Sequence, residues 1–194
     1  MNTDRPEHDA ETAPDSPPSP RAREGGGPLV ETIPEGDNRA RLVCPDCGYI
    51  EYANPKVVVG AVCVWEEKIL LCRRAIAPRI GYWTIPAGYM ELNESTTDGA
   101  VREVREEACT RILVDGLVGI YEIPHISQVH VIHRARLSEP VFAPGIESQE
   151  VALFAWADIP WDALAFPSNT WALERFREGG GPVLYTAKDV VTLD

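Results

Sequence analysis

The spacing of apolar residues divides the chain into three textures. Up to about Asn38 only Leu29, Val30 and Ile33 are sizeable aliphatics, set among Pro, Gly, Ser and acidic residues. That composition cannot bury enough apolar surface to offset chain entropy, so residues 1–38 are predicted to be a disordered acidic, Pro-rich tail. From Val57 the texture becomes β-branched: Val57 to Trp65 reads as a strand, Glu66-Glu67 as a turn, and Lys68 to Cys72 as the returning strand of a hairpin. A short strand is predicted over Tyr82 to Ile85, stopped by Pro86-Ala87-Gly88. The third texture is helical: Ala100, Val101, Val104 and Ala108 recur at helical spacing between Ser95 and Cys109, behind a cluster of Ser, Thr and Asp suited to capping. Strands return at Ile112 to Ile123, Gln128 to Leu137 and Val151 to Trp156. A second helix is predicted over about Asn169 to Arg177, ahead of Gly179-Gly180-Gly181. Mixed strands around two helices predict an α+β fold, arranged as an α/β/α sandwich.

Composition narrows the class. The 194 residues suffice for one domain with an appendage, and 44% apolar content can build its core. No apolar run approaches a membrane span, and the acidic start lacks the basic and apolar regions of a signal peptide, so a cytoplasmic location is expected. The net charge of −12 repels phosphate backbones and argues against nucleic acid as a general partner. Five cysteines, with one Cys-x-x-Cys pair, do not suggest a disulfide framework.

On a helical wheel Glu103, Glu106 and Glu107 fall within an arc of roughly 100°. Three like charges on one face cost a few tenths of a kcal/mol per pair. The face becomes favourable when a hard divalent cation, Mg²⁺ or Mn²⁺, sits among the oxygens; a solvated acidic face is the bland alternative.

The surroundings favour the cation. From Gly88 the chain reads Gly-x5-Glu94-x7-Arg102-Glu103-Val104-x-Glu106-Glu107-x-Cys109-Thr110. This resembles the Nudix box, Gly-x5-Glu-x7-Arg-Glu-U-x-Glu-Glu-x-Gly-U, with U a bulky aliphatic. Every charged position matches. Thr110 stands where U is expected, and Cys109 replaces the closing glycine that normally gives a left-handed helix exit. The resemblance implies a Nudix hydrolase domain over residues 55–194, with metal ligands from Glu103, Glu106, Glu107 and the backbone carbonyl of Ala87. It gives Arg102 the task of fixing carboxylate geometry through Glu103 or Glu94. The general base is either a box glutamate or a later one, Glu147 or Glu150. Arg73 or Arg74 is a candidate to hold a substrate phosphate, and Trp83 to contact substrate. Tyr82, Tyr121, Trp161 and Phe166 are further aromatics that could receive a flavin or adenine ring. His130 and His133, three apart on one strand, are expected on opposite faces.

Flanking segments, Cys44-Pro45-Asp46-Cys47-Gly48 with Asn54-Pro55-Lys56, Phe142 to Ser148 and Ile159 to Phe166, resemble the branch that includes plant-type FAD pyrophosphohydrolases, which also act on ADP-ribose. The substrate so implied is a dinucleotide or nucleoside diphosphate sugar. NADH pyrophosphatases share the cysteine knuckle, but their Ser-Gln-Pro-Trp-Pro-Phe run is not present, which leaves NADH as the weaker alternative substrate. A nucleotide-sensing Nudix domain without catalysis is the alternative from another class. Residues 39–54 read as a zinc-ribbon remnant: Cys44 and Cys47 form one pair, a structural zinc needs four ligands, and the upstream segment offers no cysteine. A hairpin held by packing is expected there instead of zinc. Relatives that share a site across their sheets make a homodimer a further expectation by resemblance.

Overall fold

The computed structural model describes residues 27–179 and 181–186, so the predicted tail through residue 26 lies outside the described residues. The chain divides into two compact units between Ala53 and Asn54.

The first unit is a three-stranded antiparallel sheet, β1 (Val30–Thr32), β2 (Arg41–Val43) and β3 (Ile50–Glu51), in that order. β1 corrects the expectation of disorder through Asn38. All three of its residues are exposed, so it is held by backbone pairing, Val30 opposite Val43 and Thr32 opposite Arg41, and no buried side chain announces it. The knuckle is the turn between β2 and β3. Cys44 N–H donates to Tyr49 O over 2.8 Å, Gly48 N–H donates to Cys44 O over 2.9 Å, and Gly48 takes the positive φ of 73° that the turn requires. Cys44 is buried and Cys47 exposed.

The second unit is built on a mixed sheet. In chain order its strands are β4 (Lys56–Trp65), β5 (Lys68–Arg74), β6 (Trp83–Thr84), β7 (Ala87–Tyr89), β8 (Ile112–Ile123), β9 (Gln128–Leu137), β10 (Ser148–Ala155) and β11 (Val183–Thr186). The main path runs β10-β5-β4-β9-β8-β11, with β6 on β5 and β7 on β4. β4/β9 and β8/β11 are parallel and the remaining pairs antiparallel. Helices α1 (Thr96–Ala108) and α2 (Pro167–Glu178) cover opposite faces. Central strand β4 shows why: Ala61 and Cys63 pack with Val104 and Ala108 of α1, while Val62 packs with Ala172 and Leu173 of α2. The expected sandwich is therefore what the chain forms.

Local chemistry sets the ends of α1. Ser95 Oγ accepts from Asp98 N–H over 3.1 Å and the Asp98 carboxylate reaches back to Ser95 N–H, a reciprocal cap. At the far end Cys109 itself adopts the left-handed exit, φ 49°, that a glycine would take with less strain. At Gly60 in β4 a side chain would collide with Ala87 and with Pro86 O; its absence lets β7, which carries Gly88, lie against the sheet. Two boundaries differ from the sequence expectation. Pro86 does not end extended structure, since β7 follows at once, and β11 beyond the glycine run was not foreseen because its side chains are mostly exposed.

Candidate active site

α1 turns its acidic face toward β7, and Arg102 organises that face. Its Nε and Nη2 grip both oxygens of Glu94, at 3.0 and 2.7 Å. Its Nη1 donates to Glu103 Oε1 over 2.7 Å and to Glu106 Oε2 over 3.0 Å, while Nη2 also reaches Tyr89 O. One planar guanidinium thus fixes three carboxylates. Glu94, which also accepts from Glu91 N–H, has its carboxyl pulled down to about 2, chiefly by the Arg102 hydrogen bond. It serves structure: it holds the residue that holds the others.

Glu103 and Glu107 are buried, 8% and 6% exposed. Burial pushes the Glu103 carboxyl up, against the pull of Arg102. Glu107 is driven further, to about 8, first by burial and then by the neighbouring Glu103 charge; the Arg74 charge and the Ala87 N–H pull the other way. Glu107 Oε2 is sealed from solvent and has no hydrogen-bond partner. A Cβ at Gly88 would fall on the Glu103 carboxylate, so only glycine leaves that carboxylate its place. An orphaned buried carboxylate oxygen beside a second buried carboxylate costs free energy unless a cation or proton joins it. These residues fit a hard divalent cation. Among the described residues no three His, Cys, Asp or Glu side chains already converge as a metal-binding group, and Arg102 Nη1 is bonded to both Glu103 and Glu106.

The loop before β10 is fastened to the end of α1. Ala143 N–H donates to Ala108 O and Gly145 N–H to Glu107 O, each over 3.0 Å, satisfying carbonyls the helix cannot. Glu147 follows, its carbonyl accepting from Ala75 N–H over 2.8 Å, and its charge raises the carboxyls of both Glu103 and Glu107. The loop therefore delivers Glu147 to the acidic centre.

A cavity of about 850 Å³ opens beside these carboxylates, within the size range of small-molecule sites. Glu103, Glu106, Glu107 and Glu147 line one part; Tyr89, Gln128 and His130 another; Phe166, Asn169 and Trp171 come from the start of α2. Gln128 bridges Tyr89 Oη, at 3.2 Å, and His130 Nε2, at 2.9 Å. His133 instead meets Thr96 on the α1 side, so the two histidines do occupy opposite faces.

Not every sequence candidate reaches the cavity. Arg73 and Glu150 stand opposite each other on β5 and β10 and form an exposed ion pair at 3.6 Å, outside the lining. Arg74, one residue on, faces the cavity with its guanidinium 5.1 Å from the Phe166 ring centroid. Strand alternation separates the two arginines. Trp83 also stands outside the lining: it packs edge-on against Phe154, centroids 4.8 Å apart, both partly buried against the core. Tyr121 is core, Trp161 packs on Trp156, Tyr82 lies under Arg79, and of the proposed ring acceptors Phe166 alone lines the cavity. Trp171, Thr84, Ser168 and Asn169 line it without having been singled out. Only the fold brings Thr84 and Asn169 together.

A family model described as the NUDIX domain matches residues 54–174. The chain belongs to the Nudix family. A second model, the Nudix N-terminal zinc ribbon, matches residues 23–53, which covers β1 to β3. Within it Cys44 and Cys47 supply one thiol pair, with the Cys44 thiol held below its ordinary value by the backbone amides of Cys47 and Asp46. A crystal structure of a Nudix hydrolase from Nitrosomonas europaea is 45% identical, with a TM-score of 0.78, and the match covers 86% of this chain and 98% of that one. An ADP-ribose pyrophosphatase of Methanocaldococcus jannaschii is 34% identical over 76 residues, 39% of this chain and 45% of the relative. A CTP pyrophosphohydrolase of Escherichia coli is 32% identical over 113 residues, 57% of this chain and 80% of the relative. This chain thus spans less than half the length of the archaeal enzyme it matches. Among the described residues no helix is long and apolar enough to cross a membrane.

Proposed function

We propose that this Nudix chain hydrolyses the pyrophosphate bond of a nucleoside diphosphate derivative. ADP-ribose, cut to AMP and ribose 5-phosphate, and FAD, cut to FMN and AMP, are the leading substrates. The observation that carries the reading is the buried, unpartnered Glu107 Oε2 beside buried Glu103 at the edge of a cavity large enough for such a molecule.

Glu103, Glu107 and the carboxylate of Glu106 would hold Mg²⁺ or Mn²⁺, with the Ala87 carbonyl as a further donor. Such an ion supplies charge neutralisation at an anionic phosphorus and a more acidic water. The chain's own residues do the rest. Arg102 keeps Glu103 and Glu106 in register. Glu147 lines the cavity without an ion-paired partner among the described residues and takes the proton from the attacking water, whose oxygen forms the new P–O bond as the anhydride P–O bond breaks. Arg74 commits Nε to Pro78 O over 2.8 Å and Nη2 to Ala77 O over 3.5 Å, and presents Nη1 to the departing phosphate.

The test is incubation of the full chain with ADP-ribose, FAD, NADH, a deoxynucleoside triphosphate and capped RNA, with Mg²⁺ or Mn²⁺, followed by product identification. AMP with ribose 5-phosphate or FMN, abolished by chelation, is the expected result. Tight binding without any cleavage would reassign the chain to nucleotide sensing.

A further inference from the structure

Thr84 on β6 and Asn169 on α2 are 85 residues apart, 5% and 4% exposed, and both line the cavity. Thr84 Oγ1 donates to Ile85 O over 2.9 Å. A hydroxyl has one proton, so toward Asn169 it can only accept. The Asn169 amide accordingly points Nδ2 at Thr84, 3.1 Å away. Its other atom, Oδ1, has no partner among the described residues and is not sealed from the cavity. The result is a rigid hydrogen-bond acceptor in a site walled by the rings of Phe166 and Trp171.

We propose that Asn169, locked by Thr84, makes this cavity select a nucleobase that carries an exocyclic amino group, adenine or cytosine, over the carbonyl-bearing hypoxanthine or uracil. The inference deepens the pyrophosphohydrolase reading and rests on it for the presence of a nucleotide. Adenine N6 and cytosine N4 are donors and match Oδ1. A carbonyl at the same position sets oxygen against oxygen and leaves both desolvated and unpaired. Adjacent Ser168, 5% exposed and also lining the cavity, has a hydroxyl without a protein partner among the described residues. That hydroxyl rotates and can serve a base edge of either polarity. Asn169 cannot turn without breaking its bond to Thr84, so discrimination lies with the locked amide.

Equilibrium binding of nucleoside monophosphates tests this without requiring turnover. Calorimetric titration of the full chain should show AMP binding roughly tenfold or more tighter than IMP, and CMP tighter than UMP by a similar ratio. Thr84→Val removes the lock and brings both ratios close to one, whereas Thr84→Ser keeps the hydroxyl and keeps the preference; Asn169→Leu abolishes it. Equal affinities in the unmodified protein, or a preference that survives in Thr84→Val or Asn169→Leu, overturn the proposal. ADP-ribose cleavage is scored separately on the same samples. An intact AMP preference with no cleavage defeats the catalytic reading and leaves base selection standing; cleavage without base preference does the reverse.

Discussion

The amide of Gly145 donates to the carbonyl of Glu107 over 3.0 Å, so the loop that carries one acid is tied to the helix that carries the others. A Cβ at Gly145 would fall on the carbonyl oxygen of Glu106. Replacement by alanine must move the loop off the helix end. With Glu147 two residues on, Gly145→Ala is expected to lower kcat tenfold or more, roughly the smaller part of what a displaced general base contributes. A double-mutant cycle with Glu147→Gln checks the cause. If Gly145 acts through Glu147, adding Gly145→Ala to Glu147→Gln costs little further; full additivity separates the two residues.

Arg102 is the second point of leverage. Its removal frees Glu94 and leaves the buried Glu103 carboxylate without a counter-charge. Breaking such a pair from one side costs about 3–5 kcal/mol when buried, less here because the arginine side chain is 26% exposed. Arg102→Leu is expected to lose about 2–3 kcal/mol in urea unfolding. Arg102→Lys should recover only part, since a point charge cannot grip Glu94 with two parallel bonds while reaching Glu103 and Glu106.

How much of this was readable from the chain depends on whether the signal was local. α1 carries its own periodicity, cap and charge spacing, so the helix and its three glutamates were legible. Arg73 and Arg74 were indistinguishable, because only the register of β5 against β10 sends one to the surface and the other to the cavity. Trp83 and Trp171 have the same hydropathy and both pack, partly buried, against the same core cluster, yet only Trp171 lines the cavity. The Thr84–Asn169 contact leaves no local trace at all. β1 escaped for the opposite reason: its pairing is entirely backbone.

Glu107 sets activity against stability. In the metal-free protein burial raises the Glu107 carboxyl to about 8, so near neutral pH an uncharged amide of the same shape replaces a group that is itself mostly uncharged, at a position whose oxygen has no partner. Glu107→Gln is expected to abolish turnover while leaving the thermal midpoint of the metal-free protein unchanged or raised. Added Mn²⁺ should raise the midpoint of the unmodified protein and leave that of the variant nearly fixed. A variant that unfolds several degrees early without metal would contradict the reading of Glu107 as a strained ligand.

The knuckle offers a simple measurement. With one cysteine pair in residues 27–53, the hairpin between β2 and β3 has half the thiols of a closed Cys₄ site. Elemental analysis after dialysis should find far less than one zinc per chain, and Cys47→Ser should change the unfolding free energy of the chain by no more than about 0.5 kcal/mol, as for an exposed substitution. A stoichiometric zinc that survives dialysis would restore the ribbon.

His130 predicts a pH dependence with a definite sign. Burial alone holds its imidazole down to about 4, below the value near 6.5 of an unfolded chain. Between those values the unfolded state binds the extra proton, so stability rises with pH across the window. The contribution is complete above about 6.5 and is lost as pH falls toward 4, amounting to about 2–3 kcal/mol. His130→Gln removes it without removing the carboxylates that titrate in the same range. The stability difference between the unmodified protein and this variant, from urea unfolding at pH 7.5, 6.0 and 4.5, should therefore shift against the unmodified protein as the solution is acidified. A difference that stays constant over that range would mean the imidazole is solvated and that the cavity wall between Gln128 and Ile132 is open to water.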